Sequence, residues 1–303
     1  MTYTNLFLLM TTLFSFLHEN PKEHNRSPIL CGGNFKIKEI TDVSYYTGVD
    51  AHPIKHKLDL YLPEGQQEFP VVIFVHGGAW RNGDKQTMLN IYGEFGRSLA
   101  RNGIGAVVIN YRLSPSVKHP VHIQDVAKAF AWTVRNIGSY GGNSDQVYLC
   151  GHSAGGHLVA LLATDDAYLK AENVPLSAIK GVIPISGVYE IDRANKFYDN
   201  IFGTDRQVRQ LASPLEHVRA MLPPFLVIYA ESDYQSLDQM AIAFAKALQD
   251  KKDEVTLMEI KERSHITIVG RLWRQEDETF QAVLGFVARH AGLKLTPLTA
   301  SKP

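Results

Sequence analysis

Residues 147–163, VYLCGHSAGGHLVALLA, run as a β-branched apolar stretch, break at Gly151-His152-Ser153-Ala154-Gly155 and resume as an apolar helical segment. The G-x-S-x-G spacing suits nucleophilic chemistry. A serine in a tight strand-to-helix turn carries its hydroxyl above the sheet edge, and the flanking glycines let neighbouring backbone pass without a Cβ clash. Ser153 is the candidate nucleophile. Because a serine hydroxyl is a poor nucleophile at neutral pH, a histidine must accept its proton and an acid must hold that imidazole in the right tautomer. Two downstream apolar runs end in suitable residues: Glu231-Ser232-Asp233 follows the first and Lys261-Glu262-Arg263-Ser264-His265 the second. Asp233 is read as the orienting acid and His265 as the general base, each at the carboxyl end of a strand. Glu231, close to its strand, and Asp238, inside the next helix, are the rival acids. His290, near the end of the last helix, is a poor substitute for His265.

A second motif, His76-Gly77-Gly78-Ala79-Trp80, follows another apolar strand. Backbone N–H groups exposed by adjacent glycines can converge on a developing oxyanion, with a second donor from the residue after the nucleophile. The expected donors are Gly77 or Gly78 together with Ala154; the bland alternative is a glycine turn that only lets the chain leave the sheet. Trp80 is read as an apolar substrate wall and His76 as a structural hydrogen-bonder. Asp84 and Lys85 read as surface turn residues.

Other chemistries find less support. His119 and His122 lie three apart, but Pro120 between them breaks the helix that would align them, so no metal site is expected. Cys31 and Cys150 make no disulfide framework, and Cys150 ends an apolar strand as a buried, inert thiol. GHSAGG is not G-x-G-x-x-G, and no Lys-Ser/Thr pair follows a glycine loop, which argues against a nucleotide site. No cofactor is called for.

These residues need a sheet to hold them. Strand signals at 43–46, 57–62, 71–75, 105–110, 146–150, 181–185, 225–230 and 255–260 alternate with helical signals, the clearest at 123–136, 154–163, 237–249 and 276–291. Several strands are unbroken apolar runs, as buried parallel strands should be. The expected fold is α/β, a mostly parallel eight-stranded sheet flanked by helices, with a small insertion near 189–217 as a lid edge. At 303 residues and 45% apolar, one catalytic domain over 37–295 suffices. Thirty-one basic residues balance 31 acidic ones, so there is no net field to draw nucleic acid or an anionic membrane. The expected partner is a small, weakly charged molecule; oligomeric state is left open.

Residues 1–36 read as an apolar segment and linker. The stretch from Leu6 to Leu17 matches a signal-peptide core in length and is too short for a stable membrane span, but no Lys or Arg precedes it. Export and a cytoplasmic arm packed over the catalytic domain therefore stand side by side. Residues 296–303 read as a tail.

HGGAWRNGDK (76–85), NYRLSP (110–115), IQDVAKAFAW (123–132), GHSAGGHLVALLAT (151–164), ASPLEHV (212–218), PPFLVIYAESD (223–233) and SHI (264–266) resemble the α/β-hydrolases of the esterase/lipase group. Within that group the chain looks like the bifunctional feruloyl and acetyl esterases and the kynurenine formamidases, over roughly residues 40–291. The resemblance implies an α/β-hydrolase fold, a triad on Ser153, Asp233 and His265, and oxyanion donors at Gly77, Gly78 and Ala154. The chain departs from the pattern in reading HGGA rather than HGGG, and in lacking glycines at 230–232 and 263–264. The function it implies is a serine carboxylesterase for small esters with short-acyl or aryl-acyl groups, working through an acyl-enzyme. An arylformamidase acting on N-formylkynurenine is the alternative, and a non-catalytic ligand-binding member of the fold is the reading from another class.

Overall fold

A computed structural model describes residues 30–31, 34–191 and 195–295. The signal-like segment and the C-terminal tail lie outside the described residues. The strands are β1 (Leu30–Cys31), β2 (Ile37–Ser44), β3 (Lys57–Pro63), β4 (Phe69–Val75), β5 (Gly105–Ile109), β6 (Gly142–His152), β7 (Ile179–Ile185), β8 (Phe225–Ser232), β9 (Val255–Ser264) and β10 (Lys294–Leu295). Eight of them form one sheet in the order β2-β3-β5-β4-β6-β7-β8-β9, in which β3 alone runs opposite to the other seven. β1 and β10 pair in parallel as a separate two-stranded sheet, so two residues of the expected linker are tied to the chain's other end.

The helices are α1 (Thr87–Arg101), α2 (Val121–Asn136), α3 (Ala154–Thr164), α4 (Ala167–Ala171), α5 (Asp199–Phe202), α6 (Arg206–Leu211), α7 (Leu237–Asp250), α8 (Thr267–Gly270) and α9 (Glu278–His290). Along β4 every side chain is buried: Val71, Ile73 and Val75 enter one core with α2, α3 and α7, while Val72 and Phe74 enter the other with α1 and α9. Period-two alternation over two covered faces is why this strand reads as an unbroken apolar run. Each such side chain contributes about 1.5–3 kcal/mol by leaving water.

α1 was not among the clear helical signals. Gly93 and Gly96 interrupt its pattern, and its N-terminus at Gln86 carries no side-chain cap. The glycines serve packing: a Cβ on Gly96 would stand 2.5 Å from the Tyr61 ring on β3, so α1 lies closer to the sheet than an alanine would allow. β2 begins earlier than expected, at Ile37, because a register shift between Ile40 and Val43 and a positive φ at Asp42 break the alternation. The insertion near 189–217 is present as α5, α6 and two short 3₁₀ turns, with residues 192–194 outside the described set. It packs inward through Tyr198, Ile201, Phe202 and Ala212.

The surface reading of Lys85 is overturned. Its ammonium is buried and lies 2.8 Å from the fully buried Asp59 carboxylate and 2.9 Å from Asp42, while its backbone N–H donates to Asn110 Oδ1 at 2.6 Å. A lysine beside Gly and Asp looks like a turn residue; only the folded chain reveals the buried acid on β3. Removing one partner of such a pair costs about 3–5 kcal/mol, so this contact anchors the glycine loop firmly. Asp84 does sit in a turn, accepting the Gln86 N–H at the start of α1.

Candidate active site

The chemistry-bearing residues gather at the carboxyl ends of β4, β6, β7, β8 and β9. Ser153 lies between β6 and α3 with φ 56° and ψ −117°, a conformation costly for a non-glycine residue. The turn is held by Ser153 N–H donating to Ile185 C=O at 2.9 Å and by His157 N–H donating to Ser153 C=O at 2.9 Å. Close passage explains the glycines: a Cβ on Gly155 would lie 2.0 Å from Val75 O, and one on Gly151 would lie 2.4 Å from Gly155 O.

The register of β8 and β9 brings the expected acid and the expected base together. Ser232 pairs with Ser264, so the next residues, Asp233 and His265, leave adjacent strands side by side. His265 Nδ1–H donates to Asp233 Oδ1 at 2.6 Å, and Ser153 Oγ–H donates to His265 Nε2 at 2.9 Å. Burial opposes ionisation of Asp233, but hydrogen bonds from His265, Ser186 and the Ala230 N–H together outweigh it and hold the carboxyl below its usual value. An ionised acceptor at Oδ1 requires the proton on Nδ1, which leaves Nε2 free to accept from the serine. The rival acids are elsewhere: Glu231 is exposed, accepting from Glu262 N–H and Lys261, and Asp238 lies in the first turn of α7. His290 bonds Phe286 C=O and Glu254.

Three supporting residues were missed by sequence reasoning. Ser186, at the end of β7, donates to Asp233 Oδ2 at 2.6 Å. His152 Nε2–H donates to His265 C=O at 2.8 Å, and its ring packs against that of His265; burial pushes its pKa down to about 3, so it is neutral there. Tyr234 stacks on His265 with ring centroids 4.0 Å apart. His152 and Tyr234 stand next to predicted residues, and that adjacency is the signal the sequence offers for them; Ser186 carries no comparable sequence signal.

The glycine loop is oriented by its carbonyls. His76 is fully buried and its pKa is pushed down to about 4 by desolvation; it donates from Nδ1 to Gly77 C=O at 2.7 Å. Across a trans peptide the carbonyl of one residue and the N–H of the next point oppositely, so this bond sets the direction of the Gly78 N–H. Arg81 and Asn82 N–H groups both donate to Gly78 C=O, which sets the Ala79 N–H in the same way. Gly77 runs against the elbow, where an added Cβ would meet Ser153 Cβ at 3.2 Å, and burial pushes the nearby Tyr92 phenol up to about 12. Among the described residues no acceptor takes the Gly78, Ala79 or Ala154 N–H. Ala79 joins the expected set on this geometry.

Trp80 does not line open space as the wall that was expected. The indole is 2% exposed, packs edge-on against His157 and Phe202, and donates from Nε1 to His157 Nδ1 at 3.2 Å. His157 Nε2–H in turn donates to Ala212 C=O at 2.7 Å, joining the glycine loop, α3 and the insertion through one buried imidazole. His122 bonds Ser114, and His119 packs against Phe202. Among the described residues no group of three or more His, Cys, Asp or Glu is arranged to hold a metal ion. No helix among them is long and apolar enough to cross a membrane.

Gly78→Val tests the loop. Gly78 has φ 112°, and a Cβ there would stand 2.1 Å from the backbone oxygen of Asn82, so the loop must shift. The expected loss is about 3 kcal/mol of transition-state stabilisation, appearing in kcat. Steady-state kinetics showing a change confined to KM would make the loop a binding wall instead.

An eight-stranded, mostly parallel sheet with a serine elbow after a central strand and helices on both faces defines the α/β-hydrolase class. The BD-FAE family matches residues 58–248, and the chain belongs to it. Among similar proteins, Esterase LipQ of Mycobacterium tuberculosis is 31% identical over 255 residues, 77% of this chain and 59% of that protein. Isoprenylcysteine alpha-carbonyl methylesterase ICME of Arabidopsis thaliana is 28% identical over 258 residues, 77% of this chain and 59% of that protein. The chain thus spans well under two thirds of the length of these relatives. Among solved structures, esterase B from Lactobacillus rhamnosis superposes with a TM-score of 0.70 at 25% identity, covering 84% of this chain and 87% of that one. A truncated carbohydrate esterase from gut microbiota gives a TM-score of 0.73 at 20% identity, covering 86% and 98%, a likeness of fold alone.

Proposed function

We propose that this protein is a serine hydrolase of small carboxylic esters, with Ser153 as nucleophile, His265 as general base and acid, and Asp233 as the orienting acid. The observation that carries the reading is the continuous chain from Ser153 Oγ through His265 to Asp233, at 2.9 and 2.6 Å. Ser153 Oγ attacks the acyl carbon while its proton passes to His265 Nε2; the C–O bond to the alcohol then breaks and the alcohol leaves with that proton. Water, deprotonated by the same imidazole, hydrolyses the acyl-enzyme and restores the serine. Gly77 or Gly78, with Ala79 and Ala154, supply the candidate N–H donors to the tetrahedral oxyanion. Membership of a family with named esterases among its relatives supports the same chemistry.

The acyl side is expected to be short. Trp80 and Phe202 close on each other and on His157 beside the glycine loop, whereas a long acyl chain needs an open apolar groove to offset its desolvation. Each methylene a pocket accepts favours the longer substrate by about 1 kcal/mol or more, so acetyl to butyryl esters should outrun octanoyl esters steeply in kcat/KM. A profile rising to octanoyl would refute the short pocket. N-Formylkynurenine belongs in the same panel: turnover faster than every ester would make the protein an arylformamidase on the same triad.

A further inference from the structure

The imidazole of His265 lies between two rings of different character. Behind it, His152 is buried, with ring centroids 4.8 Å apart and planes at 42°. In front, Tyr234 stacks at 4.0 Å and 24°, yet 58% of Tyr234 remains exposed. His265 itself is 3% exposed, and of the two rings that cover it Tyr234 is the one that reaches solvent. Tyr234 is not on a loose tip: its N–H donates to the same Asp233 Oδ1 that holds His265, at 2.9 Å, and its C=O accepts the Leu237 N–H at 3.1 Å. The residue following His265, Ile266, is also 45% exposed. By contrast, Trp80 and Phe202, on the glycine-loop side, are each 2% exposed. Uncovered apolar surface flanks the base.

We infer that Tyr234 is a specificity-determining residue that stacks on the alcohol part of the substrate, so that the site favours esters of arylmethyl alcohols. The inference rests on the hydrolase reading above. When the tetrahedral adduct collapses, the bond from the acyl carbon to the alcohol oxygen breaks and that oxygen takes the proton held on His265 Nε2. Proton transfer requires the alcohol oxygen to lie about 3 Å from Nε2. Its substituent then leaves past the imidazole toward the side where the Tyr234 ring reaches solvent at a fixed angle. A flat aromatic group can cover that ring; a branched or saturated group of equal bulk covers it less well. Aromatic pairs contribute roughly two- to tenfold in affinity beyond the area they bury.

The test compares kcat/KM for benzyl, cyclohexylmethyl and n-butyl acetate in the wild type, Tyr234→Phe and Tyr234→Ala. The three share an acyl group and have alkanol leaving groups, so the ratios isolate the alcohol side. A benzyl-to-cyclohexylmethyl ratio of about five in the wild type, kept in Tyr234→Phe and lost in Tyr234→Ala, is the expected result. An equal fall for all three esters in Tyr234→Ala would mean that the ring only steadies His265, and would overturn the inference. A wild-type ratio near one would also overturn it. Turnover of none of the esters by the wild type would remove the hydrolase reading and this inference together, whereas turnover with an unmoved ratio removes this inference alone.

Discussion

Ser153→Ala is expected to lower kcat by about 10⁵–10⁶ while leaving the fold intact. The substitution deletes one oxygen that donates to His265 Nε2 and leaves the rest of the elbow unchanged. The backbone bonds that hold the turn, from Ser153 N–H to Ile185 C=O and from His157 N–H to Ser153 C=O, use no side chain. Alanine tolerates the φ of 56° about as poorly as serine does, so strain changes little. Turnover of a short ester and a thermal melt of the same sample check this together. Retained activity with an unchanged melt would move the nucleophile elsewhere.

Asp233→Asn is expected to cost about 10⁴ in kcat through the tautomer of His265. Two donors, Ser186 Oγ–H at 2.6 Å and Ala230 N–H at 3.1 Å, converge on Oδ2, so the amide oxygen of an asparagine belongs there and its NH₂ turns to His265. Nδ1 would then accept instead of donate, the proton would move to Nε2, and Ser153 would lose its acceptor. Stability should fall too, since Tyr234 N–H would face an amide hydrogen in place of Oδ1. Glu231→Gln, at an exposed carboxylate paired with Lys261, should leave kcat/KM within about twofold. If Glu231→Gln were the damaging change and Asp233→Asn the mild one, as read by kcat with a short ester, the acid would be misassigned.

Local signals in the chain were enough to single out Ser153, because an elbow is a contiguous event: an apolar strand, a glycine-flanked turn and an apolar helix within 17 residues, 147–163. They also determined the parallel sheet, since strands buried on both faces must be apolar throughout, and they pointed to Asp233 and His265, because each directly follows such a run. The strand ends were read two and four residues short, at Ala230 and Ile260, where the side chains turn polar while the ladder continues to Ser232 and Ser264. That continuation is a tertiary fact, and it is what sets Asp233 beside His265.

Only the folded chain could decide the rest. Ser186 reaches Asp233 across 47 residues of sequence and His152 reaches His265 across 113, and neither residue type announces a partner at that distance. Lys85 reads as a surface residue until β3 brings Asp59 beneath it. Trp80 reads as a wall until the insertion lays Phe202 over its ring. α1 stays hidden because its glycines answer to the Tyr61 ring rather than to helix propensity. Motifs built from neighbouring residues are written into the order of the chain. The orientation of an N–H, the burial of a charge and the face left open on a ring depend on which distant groups the sheet register and helix packing bring within hydrogen-bonding or van der Waals reach.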